Sequence, residues 1–345
     1  MEGNRKERLY GIDFIRAVCA LGIIAFHFSC HTASSIRPFY IFANGDFGGL
    51  FVAVFFVISG MTLYYNHEKA GNLKDFYLKR AKTIYPPFYI AYIVFFLKSV
   101  IDSKNFFWGG NPAKLLLTAA GMDGYLAYRV QGYYILGEWF LGAIILLYLL
   151  YPVVAAVFNK SVIASSAIVL AGYIFACAAT FFVIPLEENL FACLASFFIG
   201  MLIAKYKKQI LDNKWLVIPC AAICAVLFFV RIPAGSIEMS RISNSICIHI
   251  MGPSLFICLY HAGCLINKCK AAGSVISFMG KLSYPVFLLQ HRLILEVLVR
   301  KNPDSSVKAY IALLFITLLT FAAGWVLSEL VKLPEKIRQK CIKKK

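Results

Sequence analysis

Four side chains in the first long apolar stretch can move protons or hold anions: Asp13, Arg16, His27 and His31. They lie between Leu9 and His31, in the run LYGIDFIRAVCALGIIAFHFSCH. Arg16 and His27 are eleven residues apart. On a helix turning about 100° per residue they return to nearly one face, about 16 Å further along the axis. Asp13 precedes Arg16 by three and His31 follows His27 by four, spacings that put helical neighbours on one stripe. Neutral histidine suits general-base work near neutral pH, and arginine suits contacts to phosphate or to developing negative charge. A lone histidine in such a run reads as a satisfied interior residue, whereas four such groups on one stripe point to function. Arg16 has two readings: orienting the first-helix site or contacting a substrate's phosphates from the cytoplasmic side, or serving as the buried partner of Asp13. His31 is read as an interfacial residue.

The elements that must position this stripe are membrane spans. The chain has 345 residues, 60% of them hydrophobic and 15% charged, against about 25% charged in a soluble domain. The run from Leu9 to His31 exceeds the roughly 20 apolar residues needed to cross a bilayer. The composition therefore predicts an all-α integral membrane protein. Apolar runs at 9–31, 46–66, 83–101, 137–158, 162–183, 188–204, 214–231, 245–267, 274–299 and 308–331 predict about ten transmembrane helices. Leu115–Tyr128 is too short and too interrupted to be another, and reads as interfacial or re-entrant.

The net charge of +18 does not indicate nucleic acid, because the basic residues gather between the runs and at the ends. Arg5, Lys6 and Arg8, then Lys69, Lys74, Lys79, Arg80 and Lys82, then Lys205, Lys207, Lys208 and Lys214, and finally the lysine-rich tail from Lys332 to Lys345 share one side of a ten-span chain. The positive-inside rule then puts both termini in the cytoplasm, with Arg16 toward the cytoplasmic half of the first span and His27 toward the outer half. MEGNRKER followed directly by a full-length span reads as a retained first helix and not a cleaved leader. The expectation is one membrane domain over 1–345, with no soluble domain and no inverted repeat. Eleven scattered cysteines without a paired C-x-x-C array predict free thiols, with neither a disulfide framework nor a metal site. Oligomeric state stays open.

Several segments then share one resemblance. The Arg16-x10-His27 pair, Phe55-Phe56-Val57-Ile58-Ser59-Gly60, Trp139-Phe140-Leu141 followed by Leu147–Pro152, and Leu282–His291 (LSYPVFLLQH) occur in this order. Together they resemble the membrane acyltransferase-3 family, bacterial integral-membrane O-acyltransferases of surface polysaccharides. Two departures stand out. The R-x-x-R pair expected before Pro86 is met by Arg80 with Thr83 in the second place and Lys82 beside it. Lysine offers a point charge where arginine offers a bidentate fork. The late histidine also comes one residue after the family's position, with Gln290 between it and the Leu pair.

The resemblance implies transfer of an acetyl group from cytoplasmic acetyl-CoA to a hydroxyl of a surface glycan or its lipid-linked precursor, in the plasma (inner) membrane. Succinyl-CoA or another short acyl-CoA is an alternative donor. His27 is the expected base, with Arg16 and Asp13 completing the catalytic set. Lys79, Arg80 and Lys82 are expected to hold the coenzyme phosphates, or else they are positive-inside charge facing anionic lipid. Glu138, Trp139, His291 and Arg292 are candidates for lining the acceptor pocket. Ser59 and Gly60 read as close helix packing. Any extracytoplasmic partner would be a separate protein. The competing class is a transporter or flippase that uses the same buried ionisable groups as a substrate or proton path.

Overall fold

In a bilayer an apolar segment must satisfy its backbone internally, and helices do so residue by residue. The computed structural model, which describes residues 9–68, 71–179 and 181–342, is about 79% helical. Its α-helices in chain order are α1 (Tyr10–His31), α2 (Phe47–Asn66), α3 (Leu73–Ser103), α4 (Leu115–Ala120), α5 (Asp123–Leu126), α6 (Glu138–Lys160), α7 (Val162–Ala178), α8 (Leu190–Lys205), α9 (Lys207–Ile210), α10 (Val217–Phe229), α11 (Ile237–Ile266), α12 (Lys270–Lys281), α13 (Ser283–Arg300) and α14 (Ser306–Ile342). The only sheet among the described residues is the two-stranded pair β1 (Ile41–Phe42) and β2 (Gly45–Asp46). Asp46 ends β2 and caps α2, its carboxylate accepting from the Gly49 amide at 2.8 Å.

Among the described residues six helices are long and apolar enough to cross a membrane: α1, α2, α3, α6, α11 and α14. The bent pair α12 and α13 passes the same test jointly, and three apolar helices are shorter, at Val162–Ala178, Leu190–Lys205 and Lys214–Phe229. The protein is thus an all-α, multi-pass membrane protein.

Several boundaries differ from the apolar runs. α3 starts ten residues before 83, because Leu73–Lys82 is charged yet helix-forming. α11 and α14 likewise extend past their apolar cores, to Ile237 and Ile342. The run 274–299 is not one straight span. It breaks at Leu282, where Pro285 has no N–H to give the Lys281 carbonyl and its ring would collide with it. The segment Leu115–Tyr128 forms the short helices α4 and α5. Arg5, Lys6, Arg8, Lys69, Lys343, Lys344 and Lys345 lie outside the described residues.

The chain divides into two compact units. The described part of the first falls within Met1–Ile23, Phe39–Leu73 and Leu146–Lys281, that of the second within Ile24–Pro38, Lys74–Ile145 and Leu282–Lys345. In the first, α2 and α8 meet backbone to backbone. A Cβ added at Gly60 would lie 1.8 Å from the Phe197 carbonyl oxygen, and one at Gly200 would lie 2.1 Å from that of Val57. Two glycines, one on each helix, allow this approach, and Gly60 has the packing role read from the sequence. Ile15, Cys19, Val54, Val57, Met61 and Phe256 fill the core around it.

In the second unit, two contacts fix the relation of α3 to α13. The Tyr284 hydroxyl donates to the Ile84 carbonyl at 2.9 Å, and Lys98 Nζ lies 3.2 Å from Glu296 Oε1. Contacts that advance along both helices in the same sense mean that α3 and α13 run parallel. α14 packs on α13, with Gly324 against Val286.

Candidate active site

The last two turns of α1 carry His27 and His31 in the second unit, one helical turn apart and so on one face. The end of α1 is held by Asn302, just beyond α13. Its Oδ1 accepts from the Ala33 amide at 2.7 Å, and its Nδ2 donates to the His31 carbonyl at 3.2 Å. On α13 the neighbours Gln290 and His291 point different ways. Gln290 is fully buried, with no partner for either amide atom among the described residues, and His291 reaches the α1 histidines. His291 thus meets the α1 histidines although Gln290 stands between it and the Leu pair.

Glu138 opens α6 in an unusual way. Its φ is +45°, directly after Gly137 at φ +93°. A non-glycine residue in the left-handed region carries strain of order 1 kcal/mol, so its neighbours must hold it there. Gly124 on α5 does so. A Cβ at that position would stand 2.3 Å from the Glu138 carbonyl oxygen and 2.9 Å from the Trp139 nitrogen. The short helices of Leu115–Tyr128 thus act as a shim beneath the first residue of α6.

These elements bring four side chains together. Glu138 Oε1 accepts a short hydrogen bond from His291 Nδ1. In neutral His291 that leaves Nε2 as the acceptor, and His31 Nε2 donates to it at 2.9 Å. The tautomers follow from this network. The His27 ring lies against His291 with centroids 4.6 Å apart and planes at 25°. One ring nitrogen from each of His27, His31 and His291 lies within 4.8 Å of the others. A carboxylate that fixes one imidazole, with two further imidazoles beside it, can accept a proton and pass it on.

The other predicted residues are placed as follows. Arg292 turns to Glu296 (Nη2–Oε1 3.1 Å), which Lys98 also reaches. Trp139 stands half-buried, edge-on to Phe140. Lys79 and Lys82 are exposed on α3 while Arg80 between them is half-buried, so the basic trio does not present one face. The Thr83 hydroxyl donates back to the Lys79 carbonyl at 2.9 Å. Asp13 and Arg16 belong to the first unit. There Asp13 Oδ2 accepts from Ser277 Oγ at 3.0 Å, its backbone rests against Gly280, and Arg16 lies in the field of Asp13 and of Tyr148 on α6.

A cavity of about 940 Å³ opens between α3, α13 and α14, lined by Phe95, Val297, Ile311 and Phe315 with Arg300 and Lys301 among its charged groups. Two contributors, Gly124 and Asn302, were not singled out by the sequence; His31 stands on the predicted stripe but reads there as interfacial, and the structure places it in the cluster. Only His31 had a signal, its four-residue spacing from His27.

A family model described as an acyltransferase domain matches residues 9–329. Neither curated proteins nor solved structures give a match.

Proposed function

The chain belongs to the acyltransferase-3 family, and from that premise we propose that it moves an acetyl group from cytoplasmic acetyl-CoA to a hydroxyl of a surface glycan or of its lipid-linked precursor, in the plasma (inner) membrane. The observation that carries this reading is the convergence of His27, His31 and His291 with Glu138. His27 takes the hydroxyl proton, and the oxygen attacks the thioester carbonyl. The tetrahedral intermediate collapses, an ester forms, and the coenzyme leaves as a thiolate that collects the proton. Glu138 and His291 hold the adjoining charge and shape the acceptor side with Trp139 and Arg292. Arg16, set by Asp13, orients the first span or meets the donor.

One feature supports a ten-span arrangement with both termini cytoplasmic. The third and ninth predicted spans are both odd and must cross in the same sense, and α3 and α13 run parallel. The same pairing supports donor entry from inside. Arg80 lies four residues before Ile84, and His291 seven after Tyr284. The levels of Arg80 and His291 thus differ by about 16 Å along the parallel axes. An extended pantetheine arm, as long as about five extended residues or ~17 Å, covers that span, with Lys79, Arg80 and Lys82 at the phosphate end. Succinyl-CoA or another short acyl-CoA would meet the same residues.

The test compares O-acetyl content of surface glycan in cells with the intact gene, a deletion, and His27→Ala at equal protein level. Loss of acetylation in both is expected. Unchanged acylation in the deletion would overturn the transferase reading. Unchanged acylation in His27→Ala alone would move the base elsewhere.

A further inference from the structure

We propose that His27, His31 and His291 form a binding site for a divalent cation that prefers imidazole nitrogen, represented by Zn2+. The three residues come from two helices that end near one another, and each offers one ring nitrogen within 4.8 Å of the other two. His27 and His31 are a helical i, i+4 pair, the spacing with which one helix face presents two imidazoles to one ion.

The third member carries a further mark. His291 gives its other nitrogen, Nδ1, to Glu138. A carboxylate on the remote nitrogen fixes the ring, selects the metal-facing tautomer and makes Nε2 a stronger donor. His31 Nε2–H occupies the His291 Nε2 lone pair at 2.9 Å, a hydrogen bond that an ion would replace once the His31 proton moves to Nδ1, whereas both ring nitrogens of His249 face backbone carbonyls, those of Ser245 and Ala192 at 2.7 and 2.9 Å.

The ligand set also selects the ion. Three imidazoles without a directly facing carboxylate suit zinc, copper or nickel and not magnesium or calcium. Tetrahedral binding at about 2.0–2.1 Å would set ligand nitrogens roughly 3.3 Å apart. His31 and His291 stand at 2.9 Å, so they would part slightly while His27 draws in by rotation about its side-chain bonds. With three protein ligands the fourth position stays open, and Glu138 supplies the negative charge that an ion at membrane depth requires.

Binding would occupy the lone pairs that accept the acceptor's proton, so a bound cation stops transfer until it leaves. That consequence rests on the transferase reading, whereas the binding itself does not.

The experiment uses the full chain in nanodiscs, purified without a histidine tag, stripped by chelator, equilibrated with buffered Zn2+ and desalted. Metal content and thermal midpoint are then read. About one retained Zn2+ per chain and a raised midpoint are expected. His31→Gln and His291→Gln should each abolish retention, Glu138→Gln should weaken affinity about 10–100-fold, and His67→Gln should change nothing. A histidine variant that fails to fold leaves the wild-type stoichiometry and Glu138→Gln to decide. No retained zinc, or zinc retained after these substitutions through the cysteines, would overturn the site. Zinc binding by a chain that shows no acyl transfer even after the metal is stripped would keep the site and sink the transferase reading; transfer by a chain that does not bind zinc would do the reverse.

Discussion

Gly124→Ala is a mutation that touches no reactive group and yet should disable the site. The added methyl would stand 2.3 Å from the Glu138 carbonyl oxygen, 2.4 Å from its carbon and 2.9 Å from the Trp139 nitrogen. All three are backbone atoms, so no flexible side chain can swing aside. Ordinary contact begins at 3.4 Å, so the first residue of α6 must retreat by about 1 Å relative to α5. The overpacking should cost about 1–3 kcal/mol of stability. The larger effect is on position. Glu138 holds His291 through one short hydrogen bond, and a displacement near 1 Å at a reacting constellation can cost about 10²-fold in rate.

The comparison variant is Gly109→Ala, whose methyl would meet the buried Tyr133 ring at 2.8 Å in the same unit. It should lose similar stability without losing Glu138. Both variants would be scored by thermal midpoint in nanodiscs and by acyl transfer per folded molecule. Wild-type transfer from folded Gly124→Ala would refute the reasoning, as would an equal loss of transfer in Gly109→Ala.

Other outcomes follow from the same contacts. Gly60→Ala and Gly200→Ala each place a methyl against a carbonyl oxygen of the facing helix, at 1.8 and 2.1 Å. Each should destabilise by more than about 3 kcal/mol, and the double mutant should cost less than the sum because either one already parts α2 from α8. Near-wild-type midpoints in urea or heat would count against the interlock. Asp46 offers a pH test outside the spans. Burial raises its carboxyl above the usual value, against the pull of the Gly49, Gly48 and Asp46 amides. With the folded value above the unfolded one, Asp46 contributes stability in full below about pH 3.9, and that contribution falls as pH rises through the raised value. The midpoint of the wild type should therefore decline relative to Asp46→Asn as pH climbs from below 4; parallel curves would remove the effect.

The spans that were legible in the sequence are those where an apolar run coincides with a helix and a cap or glycine marks its edge. α1 matches its run to within a residue, α2 starts after Asp46, and α6 starts after Gly137. The misplaced ends have one cause. Leu73–Lys82 and the end of α14 are helical but charged, so hydropathy does not see them. The break at Leu282 is written in Pro285, yet a proline in an apolar run is no proof of a break: Pro152 sits inside α6 without ending it. The site was half legible for a similar reason. His27 and His31 are related by helical periodicity, which is local. Their meeting with Glu138 and His291 joins residues more than a hundred positions apart, and no spacing rule reaches that far. The shim at Gly124 was invisible because its meaning lies in which carbonyl it faces.

The left-handed backbone at Glu138 has a consequence for how this protein can change over time. Glycine at that position would relieve the φ of +45° and make the fold more stable by about 1 kcal/mol. It would also delete the carboxylate on His291. Stability and the site thus pull in opposite directions at a single codon. A library selected only for thermal resistance should drift to glycine or asparagine there. A glutamate that persists under mutation records continuous selection for what the carboxylate does.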